Sequence, residues 1–179
     1  LTPSDLLAKA KANKKNSPTG KIKLLGVGVG GRGHADINGV TYKGKGEIYD
    51  DVEFIGMCDV DFKYAKGVLD EYQKLFPNMK IYNDYKKMYA ELLDQADAVI
   101  CGTADHTHAI ICAEALAAGK HVYCEKPLTR TVYESRLLTK LAKKAGVATQ
   151  MGNQGSSGEG VNLTCEWIWN GELGEVTRV

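Results

Sequence analysis

Short apolar runs alternate with stretches of helical period along most of this chain. Ile22 to Val27 forms the first run, inside a predicted strand over Lys21–Val29, and the segment from Arg32 can be helical. Val52–Cys58 reads as a second strand. The segment Asp61–Phe76 carries Tyr64, Val68, Leu69, Tyr72 and Leu75 at helical spacing and stops at Pro77. Further strands are predicted at Lys80–Tyr82, Ala96–Cys101, His121–Cys124 and Val147–Gln150. Helices are predicted at Tyr85–Leu93, His106–Ala118, Val132–Ala145 and Val161–Trp169. Asp84 suits an N-cap, and Gly119 and Gly146 suit helix C-termini. Two stretches lack period and read as loops: Thr41 to Asp51, with Gly44 and Gly46, and Gly152 to Gly160. Such alternation predicts an α/β fold, a doubly wound, mostly parallel sheet with its ligand site beyond the carboxyl ends of the strands.

The turn after the first strand sharpens that expectation. Gly28-Val29-Gly30-Gly31-Arg32-Gly33 stands between an apolar run and a helix, the order of a dinucleotide-binding, Rossmann-type βαβ unit. Gly28 permits the tight turn, Gly30 lets backbone approach a pyrophosphate, and Gly33 allows close helix–strand packing. Gly31 and Arg32 sit at the helix N-terminus, where free N–H groups favour phosphate. The second strand ends in Asp59, 26 residues past Gly33, against the usual spacing of ~20. A carboxylate there suits the ribose hydroxyls of NAD and repels the 2′-phosphate of NADP, so NAD is expected ahead of NADP, although Lys63 lies close by. The other reading of Asp59 is a cap for the helix beginning near Asp61.

At 179 residues the chain holds one such domain with little left over. A net charge of +1 gives no field pointing to nucleic acid or membrane, and no run approaches the ~20 apolar residues of a bilayer span. Cysteines 58, 101, 112, 124 and 165 are odd in number and lack close-pair metal spacing, which favours reduced thiols and a cytoplasmic setting. A periplasmic setting follows instead if an export signal once preceded Leu1. The lysine-rich residues 1–20 read as a tail or linker, with Leu6, Leu7 and Ala10 able to support a short helix. Residues 21–174 read as the dinucleotide-binding domain. Residues 175–179 read as the first strand of a truncated substrate domain.

Polar clusters follow the later strands. Thr103, Asp105, His106 and His108 come after the fourth, where Thr103 and its neighbours could meet the cofactor and one histidine could face the pocket. The alternative makes Asp105 a helix cap and both histidines half-exposed first-turn residues. No metal site is expected, since no third ligand stands at a recognisable spacing. Glu125-Lys126-Pro127 follows the fifth strand: the lysine could polarise a substrate oxygen, with Glu125 holding it charged. An ordinary surface Glu–Lys pair before a proline turn is the competing reading. Asn153 and Gln154 sit where substrate-side polar groups would begin, or in a plain connector.

Glu125-Lys126-Pro127 after His121-Val122-Tyr123-Cys124, with Thr103-Ala104-Asp105-His106-Thr107-His108 upstream, resembles the glucose–fructose oxidoreductase, inositol dehydrogenase and MocA family. The similarity runs from Lys21 to Val179, and Ala104 stands where that family usually has proline. The resemblance implies that Lys126 lies at the active site beside a nicotinamide, with His106 the second catalytic candidate. It also implies cofactor contacts at Gly28, Gly30, Gly31, Arg32, Gly33, Asp59, Thr103, Asp105, His108, Glu125, Lys126 and Asn153. A second α+β domain would supply the catalytic base, Trp167 and Trp169 would pack against that domain or a partner subunit, and the whole protein would be a homo-oligomer. The implied activity is NAD-dependent hydride transfer at a hydroxyl carbon of a sugar, cyclitol or polyol. Two alternatives stand beside it: an NAD-dependent glycosidase using transient C3 oxidation, and a non-catalytic nucleotide-sensing module.

Overall fold

A computed structural model describes Thr2, Asp5, Leu6, residues 20–44 and residues 46–178. Most of the expected tail, Leu7 and Ala10 included, lies outside the described residues. Leu6 is not a tail residue in its packing: it is buried against the core.

The chain order is β1 (Ile22–Val27), α1 (Arg32–Thr41), β2 (Tyr42–Gly44), β3 (Glu47–Ile48), β4 (Val52–Cys58), α2 (Phe62–Leu75), β5 (Lys80–Tyr82) and α3 (Tyr85–Leu92). There follow β6 (Ala98–Cys101), α4 (His108–Ala117), β7 (His121–Glu125), α5 (Val132–Ala145), β8 (Thr149–Gly152) and α6 (Glu159–Trp169). Six strands form one sheet in the order β5-β4-β1-β6-β7-β8, and every pairing in it is parallel. The order reverses beside β1, which places the switch point between β1 and β6. This is the doubly wound α/β fold expected.

Successive residues of β1 serve opposite faces of the sheet. Leu24 joins Ile37 of α1 and Phe54 and Tyr72 in one core, whereas Leu25 joins Met88, Leu116 and Leu141 in the other. Helices α1 and α2 thus cover one face, and α3, α4 and α5 the other. Local signals set the helix limits. Asp61 caps α2 by accepting from the N–H groups of Lys63 and Tyr64, and Thr131 with Glu134 forms a capping box on α5. Gly146 ends α5 with φ 65°, a left-handed conformation that a side chain would disfavour.

Four expectations need correction. Residues 41–51 are not a plain loop: α1 runs to Thr41, and β2 pairs antiparallel with β3. The last strand occupies Thr149–Gly152 rather than 147–150, because Ala148 N–H donates to His121 Nδ1 and pairing with β7 starts at Thr149. Helix α6 begins at Glu159, two residues earlier than expected. Residues 174–178 form no strand. No residue of α6 is buried, and Trp169 is 79% exposed. Among the described residues no helix is long and apolar enough to cross a membrane, and all five cysteines are free.

Candidate functional site

The carboxyl ends of β1, β4 and β6 are drawn together by backbone. Gly28 N–H donates to Cys58 O at 2.8 Å and Gly102 N–H to Val27 O at 2.9 Å. Gly28 has φ 71°, and a Cβ there would lie 2.7 Å from the Thr103 backbone. A Cβ on Gly33 would lie 1.8 Å from Gly28 O, and one on Gly102 2.6 Å from the Gly33 Cα. Strand turn, helix start and the β6 loop therefore touch without side chains between them. Gly102 is an equal partner in that contact, and only the fold reveals it.

Asp59 is committed to this loop. Its Oδ2 accepts from the N–H groups of Val29 and Gly30, each at 3.0 Å, and its Oδ1 accepts from Asp61 N–H at 3.0 Å. The helix cap is Asp61, not Asp59. Three backbone N–H groups thus hold the carboxyl group at the edge of the loop. Among the described residues no side chain caps α1, so the phosphate-attracting end of its dipole is left open.

Above the loop lies a cavity of about 560 Å³, within the range for small-molecule sites. Gly28, Gly30, Asp59, Thr103 and His106 line it, as expected of cofactor and catalytic candidates. Tyr64, Asn83 and Tyr85 line it as well, and sequence reasoning did not single them out for the site. A Cβ on Gly30 would come within 2.6 Å of the Tyr64 ring, so that ring already covers the place expected for a pyrophosphate. Tyr64 is 68% exposed and little holds it there.

The other predicted residues lie off this cavity. His108 was expected to meet the cofactor, but its ring is fully buried. Its Nδ1 faces Pro127 O at 2.8 Å and Nε2 faces Thr103 O at 2.9 Å, and the histidine ties the two strand-end loops together. Asp105 is exposed in a single helical turn and caps nothing. Asn153 is exposed and donates to Ser156 Oγ at 2.9 Å.

Arg32 and Glu125 form a second cluster. Arg32 Nη2 meets Asp36 Oδ1 at 2.7 Å, and its Nε meets Glu125 Oε1 at 3.1 Å. Glu125 also accepts from Gln154, and its Oε2 accepts from Lys126 N–H. The expected Glu125–Lys126 side-chain pair is absent among the described residues; Arg32 takes its place. Burial pushes the Glu125 carboxyl up, but the hydrogen bonds from Gln154, Lys126 N–H, Arg32 and Asp36 together hold it below its ordinary value. Burial pushes Asp36 up to about 6 against the pull of Arg32. Lys126 itself is exposed, and its bond to Pro127 is cis.

A family model described as an oxidoreductase family with an NAD-binding Rossmann fold matches residues 22–153. The chain belongs to the Gfo/Idh/MocA oxidoreductase family. Inositol 2-dehydrogenase of Salmonella typhimurium is 28% identical over 160 residues, covering 89% of this chain and 44% of its own. Glycosyl hydrolase family 109 protein 2 of Akkermansia muciniphila is 29% identical over 118 residues, covering 64% of this chain and 24% of its own. Among solved structures, scyllo-inositol dehydrogenase from Lactobacillus casei with bound NAD(H) and scyllo-inositol superposes with a TM-score of 0.68 at 22% identity. That match covers 88% of this chain and 43% of the other, and it shows the fold. The chain thus spans less than half the length of these relatives.

Proposed function

We propose that this chain is the cofactor-holding part of an NAD-dependent dehydrogenase acting on a polyol, cyclitol or sugar. The observation that carries the reading is the Asp59 carboxylate, fixed by three backbone N–H groups at the edge of the cavity beside Gly28 and Gly30. A dinucleotide fits this cradle. Side chains are excluded where backbones meet, a helix N-terminus is uncapped, and a negative charge stands where an adenosine ribose would be read. The same charge disfavours a 2′-phosphate.

When bound, NAD supplies a hydride acceptor at its nicotinamide ring. The chain's own groups do the rest. Gly28, Gly30 and the α1 N-terminus hold phosphate, Asp59 accepts from ribose, and Thr103 and His106 border the cavity beyond. Lys126, exposed past β7, donates from Nζ to the substrate oxygen and stabilises negative charge developing there. Glu125 does not orient the lysine by an ion pair; it orients Lys126 through the backbone N–H and is itself held by Arg32. The five free thiols suit a reducing compartment such as the cytoplasm.

Calorimetric titration of the chain with NAD and NADP, alongside Asp59→Ala, tests the cofactor reading. Tighter binding of NAD that collapses in the variant supports it. Equal affinity for both nucleotides, or none for either, refutes it. In the intact enzyme, nearly full turnover by Lys126→Ala would sink the role of the lysine. The similarity to the Akkermansia glycosyl hydrolase supports a second reading, hydrolysis through transient oxidation at C3. Cleavage of a nitrophenyl glycoside without added cofactor would favour that reading over net dehydrogenation.

A further inference from the structure

Three cysteines that are far apart in sequence meet in the core. Cys101 ends β6, Cys112 lies in the middle of α4, and Cys124 lies in β7. Their Sγ atoms all fall within 4.8 Å of one another, and each residue is 0% exposed. We propose that Cys101, Cys112 and Cys124 form a binding site for one thiophilic d¹⁰ cation of the zinc and cadmium class.

The donor set decides the class. Three sulfurs without an oxygen ligand among them suit soft or borderline cations and exclude magnesium and calcium, which require oxygen. Zinc–sulfur bonds of about 2.3 Å set three sulfurs of a tetrahedral or trigonal centre about 4 Å apart. The observed limit of 4.8 Å lies within an ångström of that spacing. A divalent ion is favoured over a monovalent one, because three thiolates with a divalent ion leave a single net negative charge in an apolar core. Coordination breaks three S–H bonds and forms three metal–sulfur bonds, and the three protons leave to solvent.

A cavity borders the cluster. Its volume is about 100 Å³, and it is lined by Cys112 and Cys124 on the inside and by Thr149, Gln150 and Met151 of the exposed edge strand β8. Met151, which carries a soft thioether, also lines this cavity and is 37% exposed. The cluster also touches the cofactor side, since Cys101 Sγ lies 3.4 Å from Thr103 Oγ1. An ion there would pin β6, α4 and β7 to one another directly behind the Thr103 loop.

The test is titration of the purified chain, kept reduced with a phosphine, with cadmium chloride. Thiolate-to-cadmium charge-transfer absorption and calorimetric stoichiometry are read together. One ion per chain is expected, with the band and stoichiometry unchanged in Cys58→Ser and Cys165→Ser and affinity at least tenfold weaker in Cys112→Val and Cys124→Ser. Circular dichroism checks that the variants fold. If they do not, cadmium NMR of the unsubstituted chain decides, an all-sulfur resonance being expected. Absence of a stoichiometric thiolate band, a band lost in Cys165→Ser, or an oxygen- or nitrogen-dominated resonance overturns the site.

Discussion

Asp36 offers the most direct test of the electrostatics beside the site. Its carboxyl is almost completely buried; Oδ1 accepts from Arg32, and Oδ2 has no hydrogen-bond partner among the described residues. Burial pushes its pKa from an ordinary 3.8 to about 6. The folded state therefore holds a proton that the unfolded state releases between those values. Because the folded pKa is the higher one, the stabilisation is complete below pH 4 and is lost as pH rises through 6. A difference of this size corresponds to about 3 kcal/mol. That value is already net of Arg32, whose hydrogen bond and charge pull against the burial. Asp36→Asn removes the titration, keeps an oxygen for Arg32 and turns an N–H toward Glu125. Urea unfolding of both proteins from pH 4.5 to 7.5 should show the variant gaining on the parent by roughly 1–3 kcal/mol across that window. The variant should be the more stable protein at the upper end. A difference between the two proteins that is constant with pH would refute the reasoning.

His108→Ala should cost about 2–4 kcal/mol in chemical denaturation, since it opens a cavity and strips Thr103 O and Pro127 O of their partner. A loss below about 1 kcal/mol would show that the histidine does not clamp these loops. Gly33→Ala should abolish NAD binding, because its Cβ would fall 1.8 Å from Gly28 O; NAD titration checks it. Gly39→Ala in the same helix meets nothing within 4 Å and should raise stability by about 0.5–1 kcal/mol in the same denaturation assay. Asp59→Asn keeps one acceptor for the glycine loop and loses the charge. It should narrow the preference for NAD over NADP more than it lowers the melting temperature.

The fold was legible because its main signals are local. Asp84, Gly119 and Gly146 terminate helices through their own side chains or backbones, and each stands where the expectation put it, whereas α2 is capped by Asp61 and not by the Asp59 that the sequence offered. The β2–β3 hairpin was missed because Tyr42–Ile48 is too short and too exposed to show a two-residue period. The displaced last strand was missed for a different reason. Val147 and Ala148 are apolar, but pairing with β7 and the bond to His121 Nδ1 set the register, and neither is visible in composition.

The site divides along the same line. Residues whose position is set by backbone are easier to read: Gly28, Gly30, Gly33 and Thr103 gather at the carboxyl ends of β1 and β6, because a strand followed by a tight turn leaves few geometries. Residues whose role depends on what faces them are harder to read. His108 lies one position into α4, and that phase turns it toward the core rather than the cavity. Glu125 and Arg32, 93 positions apart, become partners only because β7 and the start of α1 lie at the same end of the sheet. The convergence of Cys101, Cys112 and Cys124 is the extreme case, since a strand end, a helix middle and the next strand share no spacing rule. A parallel sheet gathers such residues behind its carboxyl edge as a consequence of topology. In this fold, chemistry held by side-chain partners is therefore to be sought in the layer beneath the glycine loop, where no linear motif announces it.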